Sequence, residues 1–99
     1  MWHSTLERIL FPRTYRLRTD LYGLIEKARE FGFADVDSST ARLFLGQDEF
    51  GEALDIVLSQ LYEFDIAVDQ AFIDEAKRLA EHLKMDWAEY AFVEKLVQK

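Results

Sequence analysis

Apolar residues recur along this chain at intervals of three and four, and almost nowhere at intervals of two. The clearest run is Phe50, Ala53, Leu54, Val57, Leu58 and Leu61, which predicts an amphipathic helix capped by Asp48 and reaching about Glu63. Upstream, Ser4 and Glu7 have capping-box spacing, opening a short helix through Leu6, Ile9 and Leu10 that Pro12 must end or bend. A second helix is expected from Thr19 or Asp20 to Phe31, with Leu21, Leu24, Ile25 and Ala28 on one side and Gly32 as its stop. Residues 34–39 read as a turn in which Asp37 or Ser38 caps a third short helix carrying Leu43, Phe44 and Leu45 up to Gly46.

Beyond a loop at 64–68, Asp69 is placed to cap a fifth helix whose Phe72, Ala76, Leu79 and Leu83 form one stripe, with Val68 and Ile73 at hydrophobic-staple positions. Asp86 and Glu89 repeat the capping-box spacing ahead of a last helix through Trp87, Tyr90, Val93 and Leu96. Ile66 to Val68 is too short for a convincing strand, and no alternating runs are bounded by hairpin turns. The pattern predicts an all-α fold, a compact bundle of about five to six short helices forming a single domain over residues 1–99.

Composition agrees with one core, since 99 residues at 49% apolar content suffice for one packed domain and are too few for two. The absence of cysteine excludes disulfide staples, thiolate chemistry and cysteine-ligated zinc, and makes the cytoplasm the expected setting. The longest stretch free of charged residues, Ile56 to Tyr62, falls far short of the roughly 20 apolar residues of a membrane span. Met1 to Thr5 lacks the basic and apolar regions of a secretory signal. No membrane association is expected.

Catalytic and metal-binding patterns fail on spacing. Asp35-Val36-Asp37-Ser38-Ser39 imitates the start of an EF-hand, but Thr40 stands where glycine is needed and Gly46 where glutamate is needed. A di-metal bundle would want Glu-x-x-His pairs, yet Leu79 precedes His82 by three residues, and His3 has nothing before it that could serve. The pairs Asp48-Glu49 and Asp74-Glu75 are accounted for by helix capping and dipole compensation. Four glycines and two histidines assemble no phosphate loop, Ser-His-Asp set or dinucleotide fingerprint. The expectation is a protein that is not an enzyme, with no cofactor and no metal.

Charge is what speaks of function. Residues 1–46 carry seven cations and six acids, a net of +1, whereas residues 47–99 carry five cations and thirteen acids, a net of -8. From Leu43 to Ala76 there are thirty-four residues with nine carboxylates and no lysine or arginine. A solvated face would intersperse both signs for i,i+4 pairing, so this block reads as a surface offered to a basic partner. Winding the fourth helix at about 100° per residue sets Glu49, Glu52, Ser59, Gln60 and Glu63 across from the apolar arc, with Asp55 and Tyr62 at one border. Ile56 falls inside the polar arc, either as an interface anchor ringed by carboxylates or as the footing of a second packing layer. The loop extends the surface through Phe64, Asp65 and Asp69.

The partner-binding residues expected on these grounds are Glu49, Glu52, Asp55, Ile56, Ser59, Tyr62, Glu63, Phe64, Asp65 and Asp69. Arg13, Arg16 and Arg18, with Tyr15, resemble a small nucleic-acid patch. Docking on the chain's own acidic half is the favoured reading, and a net charge of -7 opposes direct nucleic-acid binding.

The run Gln47-Asp48-Glu49-Phe50-Gly51-Glu52-Ala53-Leu54-Asp55, then Leu58-Ser59-Gln60-Leu61-Tyr62-Glu63 and Leu83-Lys84-Met85-Asp86-Trp87, resembles the MafI-type immunity proteins of bacterial polymorphic and contact-dependent growth inhibition toxin systems. The likeness covers about residues 42–99. It implies a small helical cytoplasmic protein that binds and neutralises a cognate toxin C-terminal domain delivered by sister cells, often a nuclease acting on RNA and usually basic. Glu49, Gly51, Ala53, Leu54, Leu61 and Tyr62 carry the match as packing and capping positions, so the contact residues rest on the charge pattern alone. The alternative is an acidic adaptor or nucleic-acid mimic acting on another basic protein; a carboxylate enzyme comes third.

Overall fold

Five α-helices, Trp2–Leu10 (α1), Pro12–Phe31 (α2), Asp35–Gly46 (α3), Phe50–Glu63 (α4) and Gln70–His82 (α5), are followed by two 3-10 turns, Trp87–Glu89 and Ala91–Leu96. The structure, a computed structural model, describes residues 2–97, with side chains from Thr5 onward. The expected Ser4 cap and His3 therefore lie outside the described side chains. No strand forms among the described residues. Val68 and Val97 make an isolated parallel bridge in which the Val68 amide donates to the Leu96 carbonyl at 3.0 Å. The fold is all-α.

α2 begins seven residues before the expected Thr19. Pro12 occupies its first turn, where a missing N–H costs nothing and a fixed φ favours the helix. Phe11 bridges the joint, its amide donating to Glu7 and its carbonyl accepting from Tyr15. The arginine-bearing segment 13–18 is thus helical, and Leu17, Leu21, Leu24, Ile25 and Ala28 continue one inward face.

Four helices stop in the same way. Gly32, Asp48, Asp65 and Lys84 each take a left-handed backbone with φ of 116°, 62°, 52° and 60°. After each, the next amide reaches back to an orphan carbonyl: Phe33 to Ala28, Glu49 to Phe44, Ile66 to Leu61 and Met85 to Ala80, all at 2.9–3.0 Å. Glycine adopts this turn without strain, and aspartate tolerates it better than most residues. Only Gly32 had been expected to play this part.

The core gathers Leu21, Leu24 and Ile25 from α2, Ala41 and Leu45 from α3, Leu54, Val57, Leu58 and Leu61 from α4, and Phe72, Ile73, Ala76 and Leu79 from α5. Truncating one of these fully buried leucines to alanine costs about 2–5 kcal/mol in a packed interior. Asp69 caps α5 as expected, accepting from the Phe72 amide at 2.8 Å, while Val68 and Ile73 are both buried. α3 starts at Asp35 rather than after a turn, so Asp37 and Ser38 lie within its first turns, and its cap residue Ala34 supplies no side-chain bond. The last expected α-helix is instead the pair of 3-10 turns. Its apolar residues Trp87, Tyr90, Val93 and Leu96 recur every three residues, the repeat at which 3-10 side chains eclipse, and Asp86 caps the Ala88 amide at 3.0 Å.

One charged cluster is built into the interior. The Arg18 guanidinium, 7% exposed, donates from Nε to Glu7 Oε1 at 2.9 Å and from Nη2 to Glu7 Oε2 at 2.8 Å. It also donates to the Leu45 carbonyl at the end of α3 and to the Asp48 carboxylate, and stacks 4.9 Å from the Phe50 ring centroid. Asp48 therefore does not cap α4, whose cap position is Glu49 without a side-chain bond. Its carboxylate is drawn to Arg18 instead, and its backbone ends α3.

Candidate interaction surface

The sides of α4 are assigned by what covers them. Leu54, Val57, Leu58 and Leu61 face the core, and on the α3 side Gln60 donates to Asp37 Oδ1 at 3.3 Å. The opposite border is covered by the C-terminal 3-10 segment. There the Tyr90 hydroxyl donates to Asp55 Oδ1 at 2.8 Å, and the Phe92 ring meets Tyr62 edge-on with centroids 4.7 Å apart. Met85 lies beside Gly51, where an added Cβ would meet its sulfur at 3.9 Å, an ordinary contact; close packing does not require glycine there. Burial holds the Tyr90 phenol protonated, with the Asp55 bond and the charges of Asp55, Glu89 and Glu52 adding to the effect, so its pKa is pushed up to about 12.

What remains outward on α4 is Glu52, Ile56, Ser59 and Glu63, extended by Glu49 before the helix and by Phe64 and Asp65 after it. Along the helix this strip runs roughly 20 Å at 1.5 Å per residue. Glu49, Glu52, Glu63 and Asp65 are exposed, and none has an ion-pair partner among the described residues. Ile56 is half-buried, its inner side packed against the core cluster and the rest open to solvent between the carboxylates. Tyr62 remains 44% exposed and Phe64 61% exposed, so the strip ends in two accessible rings.

The ten residues expected from the sequence thus fall into three groups. Glu49, Glu52, Ile56, Ser59, Glu63, Phe64 and Asp65 form one continuous outward strip. Asp55 and Tyr62 edge it but are engaged by Tyr90 and Phe92, partners that no local pattern in the sequence announces. Asp69 stands at the start of α5 with its carboxylate occupied as a cap, and Asp65 doubles as the turn residue that ends α4. The expected docking of the arginines on the chain's own acids holds for Arg18 alone; Arg13 and Arg16 are exposed without an ion pair among the described residues.

Among the described residues no three side chains of His, Cys, Asp or Glu gather as a metal site, and no helix is long and apolar enough to cross a membrane. Comparison of the chain with protein-family models, with curated proteins and with solved structures gives no match.

Proposed function

We propose that this protein is a toxin-neutralising immunity protein, docking a cognate, basic nuclease domain on the outward strip of α4 in the cytoplasm. The observation that carries the reading is the strip itself: carboxylates at Glu49, Glu52, Glu63 and Asp65 without a cationic partner among the described residues, inside a stretch from Leu43 to Ala76 that holds no lysine or arginine. Unpaired like charges repel one another, and a guanidinium- or ammonium-rich partner relieves that repulsion. A nuclease domain presents such groups because it must hold phosphate. The likeness of residues 42–99 to the MafI-type immunity proteins supports the same reading, since it implies a small helical inhibitor.

Charge sets the approach and the rings set the match. Carboxylates steer encounter and fix register, while Ile56, Tyr62 and Phe64 supply apolar area that a basic surface lacking matching pockets cannot use. The protein acts by occupying the toxin and carries out no reaction of its own.

Charge reversal tests the reading. Glu52→Lys with Glu63→Lys leaves the helical spectrum intact, because both side chains are exposed and unpaired, yet abolishes protection of cells expressing the cognate toxin domain. If the doubly reversed protein protects as well as the original and binds as tightly at low salt, the docking surface is elsewhere.

A further inference from the structure

A groove of about 220 Å³ lies between the N-terminal turns of α2 and the last turn of α5, lined by Arg13, Thr14, Arg16, Leu17, Arg78 and His82, with Asp20 at its edge. These elements pack toward the buried side of α4, away from the acidic strip. On a chain of net charge -7 this hollow carries three guanidiniums.

The arrangement is unfavourable unless something answers it. Arg13 and Arg16 stand at i and i+3, where like charges destabilise a helix. They occupy the first turns of α2, whose dipole favours anions, yet this helix has no acid in its first turn and no side-chain cap. Arg78 is held in place by its own carboxylates, donating from Nε to Glu75 at 2.8 Å and from Nη2 to Glu75 at 2.7 Å and Asp20 at 2.8 Å. Those bonds use two of its three nitrogens. Nη1 has no acceptor among the described residues. A fixed guanidinium with one free nitrogen, two unpaired guanidiniums and a threonine hydroxyl converge as donors on one space, and forked donors of this kind suit tetrahedral oxyanions.

We propose that this groove binds a compact phosphate dianion, either free or as the terminal group of a small phosphomonoester. Its size favours a small ligand, being below the roughly 300–1,000 Å³ of sites for drug-sized molecules. Its surroundings disfavour an extended polyanion: the same α2–α5 seam continues into a second hollow where Asp20, Asp69 and Glu75 outnumber the one lysine, Lys27. The assignment does not depend on what docks on α4.

The test is titration of the full chain at low ionic strength with inorganic phosphate, with methyl phosphate and with a single-stranded RNA oligonucleotide, followed by amide and arginine side-chain NMR shifts. Saturable shifts centred on Arg13, Thr14, Arg16 and Arg78, with a Kd below about 1 mM, are expected for one or both small probes. Tighter binding of inorganic phosphate than of methyl phosphate identifies the free ion, and the reverse identifies the ester. The double variant Arg13→Ala, Arg16→Ala, whose side chains support nothing else in the fold, weakens binding by roughly tenfold or more. Lys77→Ala, exposed on α5 outside the groove, changes it by less than about twofold. Absence of saturation, equal binding by the arginine double variant, or tighter binding of RNA than of either small probe overturns the assignment.

Discussion

Arg18 and Glu7 form a two-pronged ion pair buried at the junction of α1 and α2, with both carboxylate oxygens accepting from one guanidinium at 2.8–2.9 Å. The same guanidinium ties the end of α3 and the turn into α4 through Leu45 and Asp48. It therefore fixes where the acidic helix begins relative to the N-terminal third. A group so enclosed must keep its partners, because a buried charge stripped of them is costly.

The first prediction follows from that dependence. Arg18→Ala removes the two-pronged partner of the buried Glu7 carboxylate and the donor to Leu45 and Asp48, and destabilises the fold by about 3–5 kcal/mol. Arg18→Lys does not restore it, since one ammonium cannot span Glu7, the Leu45 carbonyl and Asp48 together. Denaturant unfolding checks both, and a loss for Arg18→Ala within the ordinary surface range of ±0.5 kcal/mol would show the cluster to be dispensable.

The second concerns Tyr90. Its phenol is favoured protonated in the folded state, with the pKa raised from 10.0 to about 12 by burial first and by Asp55 second. A group whose folded pKa exceeds its unfolded value contributes stability that is complete below the unfolded pKa and is lost as pH rises through the folded one. Unfolding free energy therefore declines from about pH 10 toward about pH 12. Tyr90→Phe lowers stability at neutral pH by removing the bond to Asp55 and flattens that alkaline decline. Tyrosinate absorbance followed alongside unfolding would expose the error if the variant kept the same alkaline slope.

The third separates steering from anchoring at the acidic strip. With a basic toxin domain, association approaches about 10⁸ M⁻¹s⁻¹ at low salt, against roughly 10⁵–10⁶ M⁻¹s⁻¹ for a neutral pair, and falls as salt is added. Ile56→Ala leaves that rate largely unchanged and speeds dissociation, because a half-buried anchor acts after contact. Stopped-flow and surface-binding kinetics distinguish the two; an Ile56 effect confined to association would place the residue outside the contact.

The parts of the fold legible in the sequence are those governed by one segment at a time. α4 and α5 are visible in their apolar spacing, and Asp69 and Gly32 act as the local rules say, the one as an N-cap and the other as a left-handed stop. Asp48 misleads because an acid at a helix boundary reads as a cap, whereas its place is set by a guanidinium thirty residues away. Asp65 and Lys84 end helices in a conformation their side chains do not advertise. The three-residue repeat of Trp87, Tyr90, Val93 and Leu96 was present to be seen as a 3-10 signature. The candidate surface divides the same way: periodicity finds the outward strip, but the covering of Asp55 and Tyr62 depends on the path of a segment far along the chain.

That path ends in a small knot with a dynamic consequence. The Val68 amide, at the head of α5, donates to Leu96, so the twenty-seven residues between them form a closed ring tied at its neck. While the tie holds, deuterium cannot replace that one proton. When the C-terminal segment lifts, the proton is released in the same event that frees the flank of α4 from Tyr90 and Phe92. Its exchange rate is thus a clock on how often the acidic helix stands bare on that side, readable from one resonance without any partner added.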